Sequence, residues 1–274
     1  MKAKTLVKVV AIGLALVGTV FPAAAAKKEA KQKTLIVGTG TNMKPHCFLD
    51  ENGNLVGYEI DLINAIVERL PQYKVKFQTY DFKNILVALG AGKIDVGAHQ
   101  YEWNQERAKN YLFSDIGYNN YDKYLIVLWG RKDIKTWEDL AGKNVQAGTG
   151  SATLTELQAY NASVPDNKKL NIVITTNATR EQSVAALKSG AWDATIGPLT
   201  TVDTVNKDWG NVYQIVDPEH PVQHNAAYHV FNKKNTKLKA EWDAVLKQLV
   251  DEGVVSQLSI KWFGKDYTKG APTN

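Results

Sequence analysis

The chain repeats itself once, and that repetition restricts its architecture more than any other feature. Leu89, Gly92 and Asp95 stand in a Leu-x-x-Gly-x-x-Asp frame that recurs at Leu187, Gly190 and Asp193. The surroundings recur with it. Residues 75–77 read as a strand, Ile85, Leu86 and Leu89 as the apolar face of a helix, and residues 96–98 as a short second strand. In the later copy, residues 171–175, the helix carrying Val184, Ala186 and Leu187, and residues 194–196 take the same places. Apolar positions three and four apart mark a helix, short apolar runs mark buried strands, and Gly ends the helix. Each copy is therefore a βαβ unit with parallel strands.

Each unit is preceded by another. Residues 34–37 form a strand followed by an amphipathic helix over 58–70 that Pro71 terminates; residues 143–146 and 152–160 are their counterparts. The fold class expected is α/β with two lobes, each a small, mostly parallel sheet flanked by helices. Two long apolar strands, 124–129 and 226–231, are the expected crossings between lobes, and a helix over 238–250 with a last one beginning at 260–263 returns to the first lobe. The boundaries that follow are 34–122 and 226–270 for lobe one and 123–225 for lobe two. Loops at the carboxyl ends of both sheets would then face one cleft, where open α/β sheets bind ligands.

The first residues set the compartment. Lys2, Lys4 and Lys8 precede an apolar run over 9–21 and the tract Ala23-Ala24-Ala25-Ala26, the parts of a cleavable signal peptide. The run is shorter than the roughly 20 residues a membrane span needs. Cleavage is expected after Ala26, with residues 27–33 as a flexible leader. No Cys follows the run, so no lipid anchor is expected. Loss of three lysines and no acid takes the formal charge from +5 to +2, which gives no reason to invoke nucleic acid. Cys47 is the only cysteine, so no internal disulfide can form, and it reads as a small buried hydrophobe.

Several segments carry a family resemblance. Gly57-Tyr58-Glu59-Ile60-Asp61-Leu62 resembles the signature of the polar amino-acid solute-binding proteins of bacterial ABC importers. Asn104-Gln105-Glu106-Arg107 with Phe113-Ser114-Asp115, Asp139-Leu140-Ala141-Gly142-Lys143, Gly148-Thr149-Gly150-Ser151 and the late Lys261-Trp262-Phe263-Gly264 resemble further landmarks in the same order. Val37-Gly38-Thr39-Gly40-Thr41, Leu70-Pro71-Gln72-Tyr73 and Ala98-His99 look most like a subgroup that binds cystine and thioether amino acids. The resemblance implies a two-lobed periplasmic binding protein of type II, a soluble monomer that captures an amino acid, cystine or a related sulfur or polar one, and delivers it to a membrane permease.

It also implies a site. Arg107 would hold the ligand carboxylate, since a guanidinium matches it with two charge-assisted hydrogen bonds. Thr149, Gly150 and Ser151 would hold its other side at a helix start, although Ser151 also reads as an ordinary N-cap. Phe48 and Phe82 would wall the ligand side chain. His99, Gln100 and Glu102 follow the first repeated strand, where the family draws further contacts. One departure stands out: Gly197-Pro198 occupies the place where relatives commonly carry an ammonium-binding Asp. Pro offers neither carboxylate nor N–H, so Glu102, carbonyls or Asp203 would have to serve, or the ligand lacks a standard α-amino group.

No catalytic residue, metal site or cofactor is expected. Gly-x-Ser-x-Gly and His-Glu-x-x-His are absent, and His220 and His224 flank Pro221, which disfavours a metal-binding helix. The enzymatic alternative is a dehydratase of the cyclohexadienyl dehydratase type on the same scaffold, with Glu102 or His99 as general acid. A sensory ligand-binding protein is the other.

Overall fold

The computed structural model describes residues 32–271. The expected signal peptide, its cleavage site and most of the leader lie outside the described residues; Lys33, assigned to the leader, begins the first strand. The chain opens with β1 (Lys33–Thr39) and a small sheet of β2 (Asn42–Met43), β3 (Cys47–Leu49) and β4 (Leu55–Val56). Then come α1 (Tyr58–Glu68), β5 (Tyr73–Thr79), α2 (Phe82–Gly90), β6 (Val96–Glu102), α3 (Gln105–Asn110), β7 (Tyr111–Phe113) and β8 (Asn119–Asn120). The middle of the chain supplies β9 (Lys123–Leu128), β10 (Asn144–Gly148), α4 (Ala152–Ser163), β11 (Asn171–Thr175), α5 (Arg180–Lys188), β12 (Ala194–Pro198), α6 (Leu199–Trp209) and β13 (Tyr213–Ile215). It closes with β14 (Ala226–Asn232), α7 (Thr236–Asp251) and α8 (Val254–Phe263). The last helix starts earlier than the sequence pattern suggested, because Gly253 turns the chain directly from α7 into α8.

The sheets reproduce the sequence repeat. One runs β5-β1-β6-β14-β7 with β8 beside β14, and the other β11-β10-β12-β9-β13. In each, the first three strands are parallel and the fourth joins antiparallel. The repeated residues perform the same task twice. Leu89 and Leu187 are buried, and Gly92 and Gly190 turn the chain at φ 69° and 76°, a left-handed conformation that glycine adopts without steric cost. Asp95 then clasps the neighbouring strand: its carboxylate accepts from the Ile36 amide at 2.9 Å. Asp193 accepts from the Asn144 amide at 2.7 Å in the same way. Helices cover both faces of each sheet. Trp242, Leu62 and Ile66 pack one face of the first sheet and Ile85 and Leu89 the other, while Leu157 and Val205 lie in separate clusters of the second.

The chain passes between the sheets twice, and the two passes are paired. Asn119 and Asn120 face Ala227 and Ala226, Tyr121 N–H donates to Asn225 O at 2.9 Å, and Lys123 bridges Gln223. The long apolar strands expected to cross lie within single sheets as β9 and β14. Their runs are buried on both faces, and the crossings are the short polar stretches just before them. Among the described residues no helix is long and apolar enough to cross a membrane.

One core contact sets a pH response. His229 is fully buried, stacks on Tyr118 with ring centroids 4.4 Å apart, and accepts through Nδ1 from Trp242 Nε1 at 3.1 Å. Burial lowers its pKa from 6.5 to about 3. Between those values the unfolded chain binds a proton that the folded one refuses, so the stabilisation is complete above pH 6.5 and is lost as pH falls. The expected result for His229→Gln is a slope of unfolding free energy against pH that is shallower by ~1.4 kcal/mol per unit between pH 6 and 4. Denaturant titrations at several pH values read this directly, and an unchanged slope would exclude the assignment.

A cleft between the lobes as the candidate functional site

A cavity of about 310 Å³ opens where β6 and α3 of one lobe face the ends of β10 and β12 and the start of α4 in the other. Eight of the ten residues selected from sequence line it: Phe82, His99, Gln100, Glu102, Arg107, Thr149, Ser151 and Pro198. Gly150 is not among the lining residues but touches the site through its carbonyl. Phe48 stands apart; its ring meets Trp262 edge-on at 6.0 Å and lines a neighbouring cavity instead.

Arg107 is placed by its own motif. Asn104 caps α3 by accepting from the Arg107 amide at 2.8 Å, which is why a short polar residue stands three positions before the arginine. The guanidinium lies 5.4 Å from the Tyr101 ring centroid and 5.9 Å from that of Phe82. Nη1 donates to Glu102 O and Nη2 to Gly150 O, each at 3.1 Å. The second bond joins the lobes. Among the described residues no carboxylate pairs with this buried cation. A guanidinium has five N–H donors, so capacity for an anion remains.

The start of α4 is the matching surface, though not through the hydroxyls. Ser151 Oγ caps the helix by accepting from Leu154 N at 3.1 Å. Thr149 Oγ1 donates to Thr175 O at 3.1 Å and lies 2.8 Å from Thr176 Oγ1. Both are committed within their own lobe. The first-turn amides of Ala152 and Thr153, which a helix cannot pair internally, belong to residues lining the same cavity.

Glu102 is buried, not solvent-facing, and Lys123 Nζ sits 2.5 Å from its carboxylate. Lys123, fully buried beside the crossing, also reaches Glu156 on α4 at 2.8 Å. Burial raises the Glu102 pKa and the Lys123 charge opposes that shift. Glu102 is the only carboxylate residue lining the cleft among the described residues. Pro198 caps α6 and pairs with Lys123 across β12 and β9.

Asp203 does not line the cleft. It accepts from Lys265 Nζ at 2.7 Å and from Tyr267 O–H at 2.5 Å, tying α6 to the C-terminal segment of the other lobe. Standing outside the cleft lining, Asp203 drops out of the ammonium role and becomes a latch. Exposed pairs contribute up to about 1 kcal/mol. Asp203→Ala is accordingly expected to weaken ligand affinity by roughly two- to fivefold by favouring the open form. Calorimetric titration checks this, and unchanged affinity would remove the latch.

Behind the cleft wall, His99 Nδ1 lies 3.0 Å from Cys47 Sγ, and burial lowers the His99 pKa to about 4. With Glu59 they form the one group of three metal-capable side chains among the described residues, with donor atoms within 4.8 Å of one another. Glu59 accepts from the Gln100 amide at 2.9 Å and from Tyr118 O–H. Burial raises the Cys47 thiol pKa far above its usual range and raises that of Glu59. The three side chains thus pin β6 where Gln100 adopts φ 52°, a strained conformation of the kind found at binding sites. Sequence reasoning missed this knot, and it missed Lys123, Tyr121 and Tyr213; a lone Lys heading an apolar strand was the available signal for the first.

Two lobes, paired crossings and a cleft with one unpaired arginine define a hinged ligand-binding protein. The model of the bacterial extracellular solute-binding proteins, family 3, matches residues 35–265, and the chain belongs to that family. It is 36% identical over 241 residues to the L-cystine-binding protein TcyK of Bacillus subtilis (strain 168), covering 88% of this chain and 87% of that one. Among solved structures, a putative L-cystine ABC transporter from Listeria monocytogenes is 38% identical with a TM-score of 0.80, covering 88% of this chain and 100% of that one. The ancestral amino acid-binding protein AncCDT-1, a precursor of cyclohexadienyl dehydratase, is 26% identical with a TM-score of 0.71, covering 84% and 95%.

Proposed function

We propose that the chain is an extracytoplasmic receptor that closes around a sulfur-containing amino acid, L-cystine above others, and delivers it to the membrane permease of an ABC importer. One observation carries this reading: a buried arginine without a carboxylate partner spans the two lobes and faces the first turn of α4. Arg107 and the Ala152 and Thr153 amides hold the ligand carboxylate, and Phe82 walls its side chain. Glu102 and backbone carbonyls hold the ammonium in place of the Asp that Pro198 replaces. Lobe one comprises residues 34–122 and 226–270, and lobe two 123–225. The signal peptide leaves after Ala26, and the mature monomer acts outside the inner membrane.

Binding, not catalysis, is favoured by the engagement of both candidate acids, Glu102 with Lys123 and His99 with Cys47. Calorimetric titration of residues 27–274 with L-cystine, cystathionine, S-methyl-L-cysteine, the polar amino acids and prephenate tests the reading. Tight binding of an amino acid, about micromolar or near −8 kcal/mol, is the expected result. Silence from every amino acid, or continuing heat from prephenate turnover, would overturn it.

A further inference from the structure

The cleft has a neighbour to which the proposed function assigns no role. A second cavity of about 350 Å³ is lined by Phe48, Lys44, Arg180, Glu181, Asp208 and Trp209, and it meets the cleft at Asn42, which lines both. Its most telling group is Arg180, the first residue of α5. The Nη1 of that guanidinium is shut off from solvent and has no hydrogen-bond partner, and among the described residues nearby acids act on the side chain only through their charge. A charged group left in that condition is costly, because the hydration lost on burial is not replaced. The group also lies close to the cleft. Burial raises the phenol pKa of Tyr213 and of Tyr121, and the Arg180 charge pulls each back down; both tyrosines line the cleft.

The lining of the second cavity carries charges of both signs. Arg180 and Lys44 are cations, and Asp208 and Glu181 are acids that act on Arg180 electrostatically without pairing with it. A free carboxylate would match the fork of the guanidinium with two hydrogen bonds, and an ammonium would match the acids. One chemical group presents both on adjacent bonds, the zwitterionic head of an α-amino acid. We propose that Arg180 and the cavity around it form a second subsite, which binds the distal α-amino-acid head of a ligand whose first head is held at Arg107. This rests on the amino-acid reading above and deepens it by assigning residues to the second head of molecules such as L-cystine, in which two such heads are joined by a short thioether or disulfide bridge. Phe48, absent from the cleft, then serves as an apolar wall of the outer subsite.

The test compares a two-headed with a one-headed ligand in the wild-type chain and in Arg180→Met, which keeps the stem and removes the charge. Calorimetric titration with L-cystine and with S-methyl-L-cysteine reads both. Wild type should bind L-cystine at least ten times more tightly. Arg180→Met should lose that advantage while its affinity for S-methyl-L-cysteine changes less than twofold. Arg180→Lys, which keeps the charge and loses the fork, should recover part of the advantage, and it carries the comparison if the methionine variant does not fold. The subsite is overturned if the variants bind L-cystine as wild type does, or if they lose both ligands equally. Wild type that binds S-methyl-L-cysteine but not L-cystine also overturns it. Wild type that binds no amino acid fails the proposed function itself, which is a separate outcome.

Discussion

Arg107→Ala is expected to lower amino-acid affinity on the order of a hundredfold or more while leaving the fold in place. Removing one partner of a desolvated, hydrogen-bonded charge pair costs a complex about 2–5 kcal/mol, because the ligand carboxylate would then be buried without its cation. The variant also loses the bond to Gly150 O, the contact through which Arg107 joins the lobes before any ligand arrives. Helix α3 should survive, since Asn104 caps it through the backbone amide of residue 107 and not through the side chain. Calorimetry with a parallel melting curve separates the two effects. Wild-type affinity in a folded variant would remove Arg107 from the site.

The second large effect is expected from Lys123→Met. Lys123 is fully buried between Glu102 of β6 and Glu156 of α4, so its loss leaves Glu102 as a buried charge beside a second carboxylate. Breaking one side of such a pair typically costs about 3–5 kcal/mol. Two further results follow from the chemistry. Glu102→Gln added to the same chain should restore much of the loss, since the uncompensated charge is gone. The single variant should also be less destabilised at pH 5 than at pH 7.5. Burial already raises the Glu102 pKa. With Lys123 gone the folded chain holds a proton above the pH at which the unfolded chain releases it, so stability falls as pH rises. Denaturant titration of both variants at the two pH values decides the matter; a single variant as stable as wild type would mean that the buried pair contributes nothing.

Much of the architecture was legible because it is written in local periodicity. The Leu-x-x-Gly-x-x-Asp frame could be seen twice because helix end, glycine turn and strand clasp lie within seven residues of one another. Arg107 was legible through the resemblance of its Asn104-Gln105-Glu106-Arg107 segment, and the structure gives the local reason for that spacing, since Asn104 caps the helix through the residue-107 amide. Ser151 was assigned two roles, and the structure shows the cap. What could not be read were side-chain partners far apart in the chain. Lys123 finds Glu102 and Glu156 only after both lobes have formed, and Asp203 finds Lys265 and Tyr267 across 62 and 64 residues. Phe48 shows a related limit: a Phe announces a wall without saying of which cavity, and it lines the neighbouring one. The extents of β9 and β14 followed hydropathy, but the crossings are made of polar residues whose pairing no periodicity records.

The central claim is that one amino acid joins the two lobes through Arg107 and the start of α4. A crystal structure of the mature chain grown with L-cystine tests it most directly. The account predicts a closed cleft with a ligand carboxylate within about 3 Å of Arg107 and of the Ala152 and Thr153 amides. An empty cleft at saturating ligand, or a ligand whose carboxylate lies away from Arg107, would contradict it.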